Sequence, residues 1–377
     1  MSQADQDIAV EASLKTTGLG SAAVVDDGVV PTIDLRQDEA IVAQQLWEAA
    51  TQVGFFTIIG HGIDASVVDQ AFAASADFFA QPVQVKQTQS PGDMKNNAGF
   101  EYFSQVRPST GVQDQKESLQ ITARQGVMDG RWPSLEFRSK AEALLTAAHA
   151  LAGRILTLLE PQAVPHNAPG TLAQSHTLWA DDGQCTLRFL HYPAMEDANA
   201  TAQLLQQGHW RAGPHTDWDN VTLLFQRPGE SGLECCANPR TGNASEMYWT
   251  KVDPVEGGIA VNIGDVSVQA SKQGRRSQKF VSCVYSCVAV VSQHLLLFSL
   301  SCRSVVRLKM LARWSDGKLY SNLHRVRLPA DASKPRYSIA FFAQSDKKTM
   351  IQSKETDPIS AGDYILSRLK SNFSKKT

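Results

Sequence analysis

Residues 213–226 read Gly-Pro-His-Thr-Asp-Trp-Asp-Asn-Val-Thr-Leu-Leu-Phe-Gln. The apolar run Val221–Phe225 reads as a strand bounded by polar residues. His215 and Asp217 stand just ahead of it, two residues apart. On an extended chain, residues i and i+2 point to the same side. One imidazole and one carboxylate can therefore reach a common point. An isolated His-x-Asp also arises as a surface histidine beside a turn aspartate, so the rest of the sequence has to decide.

A second histidine, His324, sits in a further strand-like run, KLYSNLHRVRL (318–328). Two histidines and one carboxylate on one face of an ion leave its other positions open, the arrangement of non-haem Fe(II) oxygenases. Twelve residues beyond His324 comes Arg336-Tyr337-Ser338. Arg336 and Ser338 share a strand face. A guanidinium beside a hydroxyl suits a carboxylate, because arginine donates through a planar fork. By itself the pair also reads as an exposed strand arginine. His-x-Asp, a later His and Arg-x-Ser in this order form a constellation that chance seldom assembles.

Short apolar runs recur around these residues from Gly183 on: CTLRFLHYP, NVTLLFQ, GLECCA, YWTKVDP, GGIAVNIGD and YSIAFFAQ. This rhythm predicts a β-sandwich or barrel. The N-terminal side is different. PTIDL (31–35) and FFTII (55–59) read as strands. Helices are expected over 38–53, with Ile41, Leu46 and Ala49 on the inner face, and from an Asp64 cap to about Ala80, closed by Pro82. A polar loop around Gly99–Phe103 follows, then a long helix over 134–160. A final helix is expected at about 360–372. Phe100, Tyr102 and Phe103 read equally as substrate-facing or as core residues.

A chain of 377 residues, 42% hydrophobic and 20% charged, can bury a sizeable core as one large domain or two smaller ones. A net charge of -2 lacks the basic surplus of a nucleic-acid binder. The six cysteines form no Cys-x-x-Cys pair, which points to free thiols in a reducing compartment. The first 25 or so residues have no basic start followed by an apolar run. They read as a mobile tail, and the expected location is cytoplasmic.

The sequence resembles the 2-oxoglutarate/Fe(II)-dependent oxygenases of the isopenicillin-N-synthase-like group. PTIDL, GFFTIIGHGI and FFAQP look like their N-terminal domain. LRFLHYP, GPHTDWDNVTLLFQ, GLECC, VNIGD, LHRV and RYSIAFF look like their catalytic domain. The resemblance implies an α+β fold, mainly β in its catalytic core. That core is a double-stranded β-helix (jelly roll) with a helical N-terminal part. The implied division is a tail at 1–28, an N-terminal domain at 29–165, a catalytic domain at 176–350, and a C-terminal helix and tail at 351–377. It implies His215, Asp217 and His324 as iron ligands, with Arg336, Ser338 and Tyr192 around the distal carboxylate of 2-oxoglutarate. By itself Tyr192 also reads as a packed core phenol. Plant members carry Asn-Tyr-Tyr-Pro where this chain has Leu190-His191-Tyr192-Pro193, so the asparagine contact is absent. His191 and His61 read as structural.

The implied activity is oxidation of a small organic substrate by hydroxylation, desaturation or cyclisation, with O2 as oxidant, succinate and CO2 as products, and ascorbate as reductant. The family suggests secondary metabolism. Relatives of the isopenicillin N synthase type place a similar Arg/Ser pair on a substrate carboxylate, so an oxidase independent of 2-oxoglutarate stays open.

One stretch departs from the family. Residues 266–309 hold seven Lys/Arg and no Asp or Glu; without them 29 basic residues would face 38 acidic ones. Asp217 and His324 are 107 residues apart with the segment and 63 without it. The segment reads as a retained intron or gene-annotation error, or as a real lineage-specific loop. Val281–Cys302 carries no formal charge and is long enough to cross a bilayer, but Ser, Cys, Gln293 and His294 dilute it, so a membrane span is not the expected reading. An inactive isoform or binding protein is the third functional reading, and it rests on this segment.

Overall fold

The computed structural model describes residues 23–366, except 27, 108, 196, 240–246, 265–313, 320, 330–331 and 354–355. The 266–309 segment, with its suggested span at 281–302, lies outside the described residues.

The N-terminal part begins with strands β1 (Val24–Val25) and β2 (Thr32–Asp34), helix α1 (Glu39–Gln52) and strand β3 (Phe55–Ile59). Asp38 starts α1 by accepting from the amide of Ala40, satisfying a donor that the first turn leaves open. The buried stripe of α1 is Val42, Leu46, Ala49 and Ala50. Ile41 is 49% exposed, which corrects the expected inner face by one position. Helix α2 (Ala65–Phe79) starts at the expected Asp64 cap. Pro82 does not end helical structure. It stands at the front of α3 (Val83–Gln89), where a missing N–H costs nothing.

The expected loop at 99–103 is largely strand β4 (Gly99–Tyr102), paired with β5 (Glu117–Thr122). Gly99 has φ +86, and a Cβ there would collide with the Pro91 carbonyl, so only glycine fits. Helix α4 (Leu135–Ala163) follows a Ser134 cap, and a short α5 (Thr171–Gln174) follows it. Helix α4 is long and apolar enough to cross a membrane, but its apolar face packs into the protein core.

The remaining strands are β6 (Thr186–Tyr192), β7 (Ala212–His215), β8 (Val221–Gln226), β9 (Leu233–Cys236), β10 (Trp249–Lys251), β11 (Ile259–Ile263), β12 (His324–Val326) and β13 (Arg336–Ala343). Helix α6 (Ala198–Gln206) lies between β6 and β7. Strands β6 to β13 contribute four strands to each of two sheets. One sheet runs β1-β10-β9-β12-β7 and the other β2-β3-β11-β8-β13-β6-β5-β4. That is the expected jelly roll. The N-terminal strands extend both ends of its larger sheet. The chain makes an unexpected hairpin of β14 (Met350–Ser353) and β15 (Thr356–Ser360), then the expected helix over 361–366; the rest of its expected range, 367–372, lies outside the described residues.

Strand alternation divides the larger sheet into two faces. On β6, Leu187 and Phe189 are fully buried in the main core cluster with α4, while Thr186, Arg188, Leu190 and Tyr192 face the barrel interior. Phe189 meets Phe137 of α4 with ring centroids 5.0 Å apart. Phe189→Ala is expected to cost about 3–5 kcal/mol, because a closely packed helix–sheet contact cannot collapse into the hole. Urea unfolding reads the loss, and a midpoint unchanged from wild type would refute it.

Candidate active site

Strands β7 and β12 run antiparallel, with His215 directly opposite His324. Their rings lie 4.3 Å apart, centroid to centroid. Asp217 follows two residues after His215 and turns its Oδ1 toward both. Oδ1 is 3.8 Å from His215 Nε2 and 3.5 Å from His324 Nε2. Among the described residues this trio is the His/Cys/Asp/Glu group whose donor atoms, all within 4.8 Å of one another, suit a single ion.

The surroundings fix which atoms are free to bind. His215 Nδ1 donates to the Gly213 carbonyl at 2.7 Å, and His324 Nδ1 to the Asn322 carbonyl at 3.2 Å. A carbonyl can only accept, so the proton sits on Nδ1 and the Nε2 lone pair points to the centre. Asp217 Oδ2 accepts from Thr222 Oγ1 at 2.7 Å and from Asn262 Nδ2 at 2.9 Å. Burial alone would raise the Asp217 carboxyl. The adjacent His324 and His215 and the Asn262 amide outweigh it, holding the group well below the usual carboxylate range. Burial, reinforced by Arg107, pushes His215 well below the usual imidazole value. Two imidazoles with Nε2 turned inward and one carboxylate therefore converge, and this donor set fits a divalent iron.

The second cluster lies on paired strands β13 and β6, where Arg336 stands opposite Tyr192. Arg336 is almost fully buried. Its Nε donates to the Glu230 carbonyl at 3.0 Å and its Nη2 to Gln226 Oε1 at 3.0 Å, while Nη1 lies 3.4 Å from Ser338 Oγ. The guanidinium stands over the Tyr192 ring at 5.1 Å. All six predicted site residues line one open cavity of about 990 Å³.

Other expectations fare differently. Phe100 is buried against Phe78 and Phe79, Tyr102 is largely exposed, and neither they nor Phe103 line the cavity. His191 binds Glu117 Oε1 at 2.7 Å and stacks on Tyr337, a structural placement. His61 Nδ1 accepts from the Ile63 amide at 3.1 Å. The residues missed in the sequence are Thr222 and Asn262, which hold Asp217, Gln226, which holds Arg336, and the cations Arg107, Lys116 and Arg188 on the cavity wall. Counting by twos from Tyr192 along LRFLHYP would have found Arg188. No periodicity marks Arg107 or Lys116.

Comparison with known proteins meets this geometry. The family model for the 2OG-Fe(II) oxygenase superfamily matches residues 183–284 and 300–345. That for the N-terminal region of the non-haem dioxygenase in morphine synthesis matches residues 30–138. A 2-oxoglutarate-dependent dioxygenase of Didymella fabae is 31% identical over 261 residues, 63% of this chain and 73% of the relative. The chain belongs to the 2OG-Fe(II) oxygenase superfamily. It is a 2-oxoglutarate-dependent dioxygenase of the isopenicillin-N-synthase-like type. The oxygenase is also 26% identical to the 2-oxoglutarate-dependent dioxygenase caaD of Aspergillus niger, over 89% of this chain and 88% of the relative. In fold it is similar to a full-length Neurospora crassa protein crystallised in complex with alpha-KG and thymine. That likeness has a TM-score of 0.67 and 23% identity, covering 93% of this chain and 99% of that one. The superfamily match breaks over 285–299, inside the stretch that departs from the family in sequence.

Proposed function

We propose that His215, Asp217 and His324 hold Fe(II), and that Arg336, Ser338 and Tyr192 receive the distal carboxylate of 2-oxoglutarate. The observation that carries this reading is the pairing of a metal-ready trio with a pinned, buried arginine in one cavity. When bound, iron and 2-oxoglutarate supply the oxidation: O2 is consumed, 2-oxoglutarate loses CO2 to become succinate, and one oxygen atom serves to oxidise the substrate.

The protein's part is to bind, orient and exclude water. The backbone carbonyls of Gly213 and Asn322 hold the imidazoles with Nε2 inward. Thr222 and Asn262 occupy Asp217 Oδ2, leaving Oδ1 for the ion. Gln226 and the Glu230 carbonyl aim the Arg336 fork, so 2-oxoglutarate meets a preformed partner. Leu224, Leu233 and Val326 line the cavity with apolar surface, which strengthens the polar contacts beside them. Hydroxylation, desaturation or cyclisation of a small organic molecule is the proposed outcome.

The test is succinate formation from 2-oxoglutarate with Fe(II) and ascorbate, on chains with and without residues 266–309. Turnover in either chain supports the reading, and its absence from both, together with absent iron, overturns it. Turnover confined to the shorter chain identifies the segment as an artefact or an inactivating insertion. A subtler change is Asn262→Ala. Freed from its amide, Asp217 loses orientation, and metal affinity is expected to fall about 10–100-fold, as for other residues that steer a ligand. Titration with Fe(II) under argon measures it; an unchanged affinity would mean that Asn262 does not steer Asp217.

A further inference from the structure

Among the described residues the cavity wall carries four cations, Arg107, Lys116, Arg188 and Arg336, and one carboxylate, Asp217. The proposed function uses Arg336 and Asp217 and leaves the other three unexplained. Arg188 lies in the same inward row of β6 as Tyr192, four residues away, which at about 3.3 Å per residue is roughly 13 Å. Its partner on β13 is Ala340, four residues from Arg336, so its side chain starts well along the sheet from the site proposed for the distal carboxylate. Its Nε donates to Gln120 Oε1 from the neighbouring strand, and its guanidinium lies 5.9 Å from the Phe342 ring centroid.

The charges around it do not cancel. Arg107 Nε and Lys116 Nζ both donate to Asp114 Oδ2, at 2.8 and 2.5 Å, and Asp114 Oδ1 accepts from the Gly213 amide at 2.8 Å. The other acidic group acting on Arg188 from nearby, apart from Asp217, is Glu101, whose Oε2 accepts from Gln105 at 3.0 Å and Ser118 at 3.5 Å. With Asp217 assigned to the proposed metal ion, the three cations set against Asp114 and Glu101 leave one positive charge in surplus. Burial makes that surplus costly: it lowers Arg188 and brings Lys116 down to about 8. Arg107 and Lys116 also act on His215, which places them beside the proposed metal site. Residues that only filled space here would be apolar. A half-buried guanidinium facing an open cavity suits a ligand that brings the opposite charge.

We propose that Arg188, flanked by Lys116 and Arg107, forms an anion subsite for the molecule being oxidised, and that this molecule is a small organic acid bound through its carboxylate. The proposal rests on the oxygenase reading of the cavity. The planar fork of Arg188 suits a carboxylate, and Asn97 and Gln105 on the same wall offer further polar contacts.

Calorimetry on the full chain, loaded with Mn(II) and 2-oxoglutarate so that no turnover occurs, tests it. The probes are matched acids and amides: acetate and acetamide, benzoate and benzamide, 3-phenylpropanoate and 3-phenylpropanamide. At least one acid is expected to bind ten or more times more tightly than its amide. Arg188→Gln should erase that ratio and Arg188→Lys restore part of it. Lys116→Met should narrow it several-fold, which keeps the test decisive if the Arg188 variants fold poorly. The ratio is the readout because a general folding defect moves both members of a pair together. No acid outbinding its amide, or a preference that survives Arg188→Gln, overturns the subsite. Failure of the unprobed protein to bind Mn(II) and 2-oxoglutarate defeats the oxygenase reading itself, and this inference with it.

Discussion

Asp217→Ala is expected to abolish iron binding and to cut 2-oxoglutarate turnover by about a thousandfold or more. Asp217 is the single carboxylate on the cavity wall among the described residues, so its removal leaves an ion with two neutral imidazoles and no compensating charge. Loss of a charged ligand is worth several kcal/mol, and about 4 kcal/mol corresponds to that factor. Asp217→Asn is the sharper version, because it keeps the shape. Its amide cannot both accept from Thr222 and Asn262 and present an anionic oxygen to the ion. Iron stoichiometry and succinate yield should fall together in both variants. A variant that retains a full equivalent of iron would place the metal elsewhere.

The second large effect is expected at Arg336. Arg336→Met removes the positive charge from a buried pocket and leaves Gln226 and the Glu230 carbonyl without their donor. Losing one partner of a buried charge pair costs about 2–4 kcal/mol, so the KM for 2-oxoglutarate should rise roughly 30- to 1000-fold. Arg336→Lys should recover only part of this, because an ammonium is a point charge without the fork. Iron stoichiometry should hold, since the ligand trio lies on other strands. An unchanged KM for 2-oxoglutarate would instead favour an oxidase in which Arg336 holds the substrate.

The trio was legible because strand geometry is simple: a spacing of two fixes a shared side, and His324 lay in a run of similar character. Arg336 and Ser338 were legible for the same reason. What strand periodicity could not give was support across strands. Asn262 reaches Asp217 from a strand 45 residues later, and Gln226 reaches Arg336 across 110. Such partners follow from register, which a single sequence does not print. The mislabelled N-terminal features are of another kind. Val42 stands four and seven residues before Leu46 and Ala49, the helical spacing, while Ile41 stands five and eight before them, so the period itself favoured Val42. Pro82 is a breaker in the middle of a helix and a fitting start for the next one, so its meaning depended on a helix whose sequence (VQVKQTQ) has little apolar pattern. The strand at 99–102 forms because β5 offers it an edge, while its own glycine and charge argue for a loop.

The way the larger sheet is assembled also sets an order of events during synthesis. Strand β3 (Phe55–Ile59) pairs with β11, so Ile58 waits for its partner Ile259, about 200 residues later in the chain. At about 5–20 residues per second, that partner leaves the ribosome some 10–40 seconds after β3 does. Through this interval the nascent chain exposes an apolar pentapeptide with one edge open, the kind of edge that recruits other strands. Contacts closed over such distances also slow folding. Yield of active protein should therefore depend on what shields FFTII before VNI arrives, with slower synthesis or added holding chaperones giving more soluble chain per message.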